Sequence, residues 1–142
     1  VIKFMKNTLV DAGPLIALFD KDDIYHQQIL EFLKSYNCHL YTTLPVITET
    51  LYMLNFSTEV QLDFLNWLDR GGLRVLNFDQ SILKRVIDLT KKYNNLPVDF
   101  ADALLLSVAE KEDIKDIISI DSDFNVYKTE NGTFLNNIFI SS

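Results

Sequence analysis

The stretch Leu96-Pro97-Val98-Asp99-Phe100-Ala101-Asp102-Ala103-Leu104-Leu105-Leu106-Ser107-Val108-Ala109-Glu110 decides how this chain is read. Its pattern predicts a helix that is apolar nearly all round. Ala101, Leu104, Leu105 and Val108 fall at core spacing, and Ala103, Leu106 and Ala109 fill the other side. Such a helix is expected to be buried on most faces. Two acids nevertheless stand in its first turn. Asp99 and Asp102 are three residues apart, so their carboxylates point the same way. Burying like charges together is costly unless a cation or hydrogen-bond donors meet them. The bland alternative is that both serve the helix start, where the macrodipole favours anions and Asp is a routine residue.

Two strands frame this helix with further acids. Asp116-Ile117-Ile118-Ser119-Ile120 reads as a buried strand ending at Asp121, followed by Ser122-Asp123-Phe124. Near the start, Asn7-Thr8-Leu9-Val10 is short, apolar and β-rich, and it ends at Asp11. Ala12-Gly13-Pro14 then break the strand, and Leu15 to Phe19 read as a short helix. A strand that ends in Asp and turns at once places that carboxylate at the carboxyl edge of a sheet. In open α/β folds this edge carries the ligands. The competing reading makes Asp11 a cap for the next helix.

The remaining segments alternate in the same way. Asp22 to Tyr36 reads as an amphipathic helix with Asp22 or Asp23 at its start. His26 on it and His39 after it read as packing or hydrogen-bonding residues, and neither has zinc-ligand spacing. Cys38 to Thr42 reads as a strand. Thr43-Leu44-Pro45 then opens a helix, with Thr43 as cap, Pro45 in the first turn, and Val46, Ile47, Leu51 and Leu54 facing inward. Glu49 lies inside this apolar helix, either on a wet stripe or held there for a purpose. Ser57 to Arg70 is a further helix closed by Gly71-Gly72. Leu73 to Leu76 is a short strand, and Asp79 to Tyr93 a helix whose outer face carries Lys84, Arg85, Lys91 and Lys92. With Asp88 one turn from Lys84 and Lys92, that face reads first as solvated i,i+4 pairs. The alternative is a basic rim that meets an RNA phosphate backbone. Asn131-Gly132 marks a turn, and Phe134 to Ile140 a last strand.

Alternating strands and helices favour a mostly parallel central sheet flanked by helices, an α/β/α arrangement in three layers. With no repeat, linker or low-complexity tract, the 142 residues read as one domain. Met5 is the expected native start, with Val1 to Phe4 as additions. Cys38 is the sole cysteine, which excludes an internal disulfide and a cysteine-built zinc site and makes a reducing, cytoplasmic setting the expectation. No apolar run is long enough for a bilayer, and no secretory pattern is visible, so no membrane partner is expected. The net charge of −7 argues against nucleic acid unless bound cations invert the local sign. There is no Ser-His-Asp set, no Cys–His pair and no phosphate-cradling glycine loop. Carboxylates are the only convergent chemistry, and clustered hard oxygen ligands suit Mg²⁺ or Mn²⁺.

In this order the motifs resemble the PIN-domain family, and in particular the toxin-like, VapC-type members found in toxin–antitoxin pairs. The carrying residues are Leu9-Val10-Asp11-Ala12-Gly13-Pro14-Leu15, Leu44-Pro45-Val46-Ile47-Thr48-Glu49, Asp99-Phe100-Ala101-Asp102-Ala103-Leu104-Leu105 and Ser119-Ile120-Asp121-Ser122-Asp123-Phe124. The resemblance implies an Mg²⁺- or Mn²⁺-dependent endoribonuclease with Asp11, Glu49, Asp102 and Asp121 as its acidic quartet. It implies that Asp11, Asp102 and Asp121 hold metal and that Glu49 binds metal or orients the attacking water. Asp99 matches an accompanying acid, read either as a ligand or as a group that orients one, and Asp123 is the alternative fourth acid. Ser119 stands where many members have Thr and keeps the hydroxyl. A homodimer and a small antitoxin partner are implied as well. The rival reading is a domain of the same fold that binds RNA or protein without cutting. A haloacid-dehalogenase-type phosphatase fits less well, because the second Asp it wants falls at Gly13. A phospho-receiver domain lacks its late lysine.

Overall fold

The computed structural model describes residues 5–96, 98–121, 123–129 and 131–139. Pro97, Ser122, Ile140 and the residues before Met5 lie outside them. The elements in chain order are β1 (Lys6–Val10), α1 (Ala12–Phe19), α2 (His26–Ser35), β2 (Cys38–Thr42), α3 (Leu44–Met53), α4 (Thr58–Asp69), β3 (Arg74–Val75), α5 (Leu83–Lys92), α6 (Phe100–Glu112), β4 (Asp116–Ile118) and β5 (Asn136–Asn137). The strands form one sheet in the order β3-β2-β1-β4-β5. All four pairings are parallel.

β1 is the central strand because it can be buried on both faces. Thr8, Leu9 and Val10 are each at most 2% exposed, the pattern expected of a strand covered by helices on both sides. Its register pairs Leu9 with Tyr41 on one side and with Ile117 on the other. The Thr42 hydroxyl donates to the Val10 carbonyl at 2.8 Å and ties the ends of β2 and β1 together. α1 packs on α2, α3 and α4, while α5 packs on α6. Right-handed crossovers put these two groups on opposite faces of the sheet.

The apolar helix is α6, and its seven residues from Ala103 to Ala109 are all buried. Leu104, Leu105 and Leu106 are at most 1% exposed, and burying each contributes roughly 2 kcal/mol. Asp99 is the residue before the helix. Its Oδ1 accepts from the Asp102 backbone N–H at 2.9 Å, which makes it the N-cap.

Several boundaries differ from the sequence reading, and local hydrogen bonds explain most of them. α1 starts at Ala12, not Leu15, because Asp11 Oδ1 accepts from the Ala12 N–H at 2.8 Å and caps the helix directly after β1. α2 starts at His26, not Asp22: the Asp20 and Asp23 carboxylates accept the Asp22 and Tyr25 N–H groups and hold turns instead. Thr43 precedes α3 but makes no capping bond; its buried hydroxyl has no partner among the described residues. On α3, Thr50 rather than Leu51 is fully buried, with its hydroxyl turned onto the Val46 carbonyl at 2.8 Å. The Asp79–Tyr93 segment opens with a 3₁₀ turn, Gln80–Ile82, before α5. β4 stops at Ile118, and the last strand is only Asn136–Asn137. There a side chain replaces the ladder, since Asn137 Oδ1 accepts the Ser119 N–H at 3.3 Å. Gly71 and Gly72 do close α4: Gly71 has φ +86°, and a Cβ on Gly72 would collide with the Trp67 indole.

Candidate active site

The strand order reverses between β1 and β4, and the acids gather at this switch point. The Asp11 N–H donates to the Ile118 carbonyl at 3.1 Å. This bond extends the β1–β4 ladder by one residue and fixes the Asp11 backbone at the carboxyl edge. Crevices at such reversals are where open parallel sheets bind ligands. Here the crevice has a volume of about 260 Å³ and is lined by Asp11, Glu49, Asp99, Asp102, Asp121 and Asp123, together with Ala12, Gly13, Ile16 and Met53. All six acids singled out in the sequence therefore face one cleft, although they come from four separate parts of the chain. Lys, Arg, His, Ser and Cys are absent from the lining among the described residues.

Each acid is placed by its element. Asp11 and Asp99 are both helix caps, and both also line the cleft. A cap uses Oδ1 and leaves Oδ2 free to face elsewhere; Asp11 Oδ2 accepts from the Ser119 hydroxyl at 3.3 Å. Asp102 comes three residues into α6, within the same turn as its cap. Glu49 is exposed on α3 and shares a face with Met53, one turn on. Asp121 and Asp123 follow β4, the latter opening a 3₁₀ turn, Asp123–Asn125.

The electrostatic consequence is concentrated on two residues. Burial pushes the Asp11 carboxyl up from 3.8 to about 6, against the Ala12 N–H and the Ser119 hydroxyl, with the charges of Glu49 and Asp121 adding to the rise. Burial likewise lifts Asp102 to about 7, reinforced by the charges of Asp99 and Asp11. The same acids act on Tyr127. Its phenol is fully buried and has no hydrogen-bond partner among the described residues. Burial first, then Asp102, Asp123 and Asp99, push it up to about 12.

Asn137 is the residue that the sequence reading missed. It is 5% exposed on β5. Its Oδ1 accepts from the Ser119 and Phe139 N–H groups, and its Nδ2 donates to the Ser119 and Asp121 carbonyls at 3.1 and 3.4 Å. Ser119 in turn accepts from the Asp121 N–H at 3.2 Å while donating to Asp11. One amide thus shapes the segment that carries Asp121 and, through Ser119, orients Asp11. An Asn five residues past the Asn131-Gly132 turn has no local signature of such a role; only sheet pairing brings it there.

Three of the four basic residues of α5 have contacts away from the cleft. Lys84 pairs with Asp88 at 2.9 Å. Arg85 makes a two-bond clamp on Glu110 of α6, at 2.7 and 2.8 Å. Lys92 lies over the Tyr93 ring at 5.2 Å, and Lys91 is exposed. None of the four lines the acidic cleft. The His26 Nδ1–H donates to the Ala17 carbonyl at 2.7 Å, a packing role.

The donor set fits a hard divalent cation, because every polar side chain on the cleft wall is a carboxylate. Among the described residues the acids are not already gathered into a ligand cage. Closing on an ion would draw on the oxygens of Asp11, Asp99 and Asp102 not used by backbone N–H groups, and on the exposed side chains of Glu49 and Asp121.

Fold and cleft together define an α/β domain whose switch-point edge offers only carboxylate ligands. Residues 8–129 match the family model described as PIN domain, and the chain belongs to that family. A comparison with curated proteins gives no match. Among solved structures, VapC20 of Mycobacterium tuberculosis, described as a sarcin–ricin loop cleaving toxin, superposes with a TM-score of 0.75 at 19% identity, over 84% of this chain and 93% of its own. A toxin–antitoxin complex from Klebsiella pneumoniae gives 0.63 at 18% identity, over 82% and 88%. VapBC2 from Rickettsia felis, bound to a DNA fragment from its promoter, gives 0.62 at 17% identity, over 84% and 92%. At these identities the likeness is one of fold. Among the described residues no helix is long and apolar enough to cross a membrane.

Proposed function

We propose that this protein is an Mg²⁺- or Mn²⁺-dependent endoribonuclease of the toxin type. The observation that carries the reading is the cleft wall, where six carboxylates stand with no nucleophilic side chain among them. A hydrolase so built must use water. A bound divalent cation supplies the charge that meets the phosphodiester and lowers the pKa of the attacking water. Asp11, Asp102 and Asp121 hold the ion, and Asp99 and Asp123 stand as further donors. Glu49, on a separate helix, binds the ion or orients the water. Ser119 keeps the Asp11 carboxylate turned into the cleft. The elevated pKa values of Asp11 and Asp102 belong to the same reading, since two crowded acids give up their protons when a cation takes their place.

The toxin assignment draws on the similar structures, two of which are toxin–antitoxin assemblies. An antitoxin that covers the acidic cleft and a homodimeric form belong to this proposal. Calorimetric titration with Mn²⁺, comparing the unsubstituted chain with Asp102→Asn, tests it when followed by an RNA cleavage assay on the same samples. Binding that Asp102→Asn weakens, together with Mn²⁺-dependent cleavage, is the expected outcome. Absence of both would leave a binding module of PIN fold.

A further inference from the structure

The carboxyl edge of the sheet has two halves of opposite character. Asp11 after β1 and Asp121 after β4 make one half acidic. The other half exposes apolar side chains: Leu44, two residues past β2, is 62% exposed, and Phe78, three residues past β3, is 48% exposed. Phe100 joins the halves. It is the first residue of α6, between Asp99 and Asp102, and it too is 48% exposed. The Phe78 and Phe100 rings lie 6.5 Å apart, centroid to centroid, tilted at 55°.

The backbone that carries each ring is fixed by neighbouring carboxylates. Asp79, next to Phe78, accepts the Ser81 N–H at 3.1 Å and reaches Lys111 of α6 at 3.5 Å. Phe100 is held by the Asp99 cap on its own helix. Large exposed aromatic side chains fixed beside a cleft expose apolar surface without any benefit to folding.

At the cleft itself a polyanionic substrate meets no cationic side chain among the described residues, and Lys84, Arg85 and Lys111 already face Asp88, Glu110 and Asp79. Stacking of bases on aromatic rings is the other general source of affinity for single-stranded nucleic acid, and it tolerates an acidic neighbourhood. We propose that Phe78 and Phe100 form a stacking platform for an unpaired base of the RNA, next to the phosphodiester held in the acidic cleft. The inference rests on the nuclease reading and adds the element that binds substrate: the acids act on the backbone, and the rings hold a base.

The test uses a mixed-sequence single-stranded RNA and the same oligonucleotide with abasic sites. Binding is measured in an Asp102→Asn background that does not cut. Phe78→Ala and Phe100→Ala each weaken RNA binding by roughly tenfold. Phe100→Leu, which keeps apolar area but lacks a π-face, weakens it likewise, whereas Phe100→Trp binds at least as tightly as its parent. The parent prefers intact RNA to the abasic strand, and the double Phe78→Ala/Phe100→Ala variant loses that preference. Unchanged RNA affinity in the Ala and Leu variants overturns the platform and assigns the rings to contact with protein. Cleavage by the otherwise unsubstituted chain is followed in parallel. Cleavage that persists undiminished in the double Phe variant refutes the platform and leaves the nuclease reading standing. Absence of both Mn²⁺ binding and cleavage in the unsubstituted chain would refute the nuclease reading itself.

Discussion

Replacing Asp11 by Asn is expected to make the metal-free protein more stable while removing its function. Folding moves the Asp11 carboxyl from 3.8 to about 6. A group whose pKa rises on folding binds its proton more tightly in the native state. Native stability therefore falls as pH climbs between those values, and the loss persists above them. At about 1.4 kcal/mol per pKa unit, the ionised Asp11 side chain costs at most about 3 kcal/mol near neutral pH. Asn carries no charge to desolvate. Its Oδ1 can still accept the Ala12 N–H, its Nδ2 takes the place of Oδ2 and donates to the Ser119 hydroxyl oxygen, and Asn caps helices about as well as Asp. With an unfolding entropy of roughly 0.3 kcal/mol/K for a chain of this length, the variant gains up to roughly 10 °C in Tm. Thermal unfolding followed by circular dichroism in chelator, at about pH 8 and about pH 4.5, reads this directly. The gain is expected in full at the higher pH and cut to about a third at the lower, where the native carboxyl is protonated but the unfolded one is already largely ionised. Saturating Mn²⁺ should cancel most of the difference: the unsubstituted chain gains about 2.7 kcal/mol at a hundredfold excess over Kd, and Asp11→Asn gains far less. A variant less stable than its parent at the higher pH, or equally stabilised at both, would refute the reasoning.

Three further outcomes follow from the same geometry. Asn137→Ala strips donors and acceptors from buried Ser119, with an expected loss of about 1–3 kcal/mol; Asn137→Asp keeps the acceptor but loses both donations to carbonyls. Both variants should bind Mn²⁺ more weakly by calorimetry at a temperature where they remain folded, and unchanged affinity would make the role purely structural. Arg85→Ala breaks the clamp between α5 and α6, so the chemical-denaturation midpoint falls with a loss of about 1–3 kcal/mol while cleavage by folded protein persists. A salt-dependent loss of RNA affinity in Lys91→Ala or Lys92→Ala, with the fold intact, would instead assign that face to RNA. Finally, Asp11 and Asp102 with pKa values of about 6 and about 7 must lose protons to ligate a cation. Apparent Mn²⁺ affinity should therefore rise with pH across that range and level off above it, and a flat profile would exclude these two acids as ligands.

Residue order alone determined the alternation of strands and helices, the burial of α6 and the candidacy of Asp11, Asp99, Asp102 and Asp121, while Glu49 and Asp123 were singled out through the family resemblance. The reason is that strand-end Asp, an apolar helix with acids in its first turn, and Gly-Gly helix closure are local signals. Their meaning does not wait for the rest of the chain. The tertiary structure decided what proximity does to these residues. Burial and neighbouring charge separate Asp11 and Asp102 from the other acids, and neither effect exists until four distant segments meet at the β1–β4 reversal. Sheet pairing brought Asn137 beside Ser119 and ended β4 two residues early. Helix packing turned Arg85 from a candidate RNA contact into a partner of Glu110. Phe78 and Phe100, separated along the chain, became neighbours only because β3 and the start of α6 open onto the same edge.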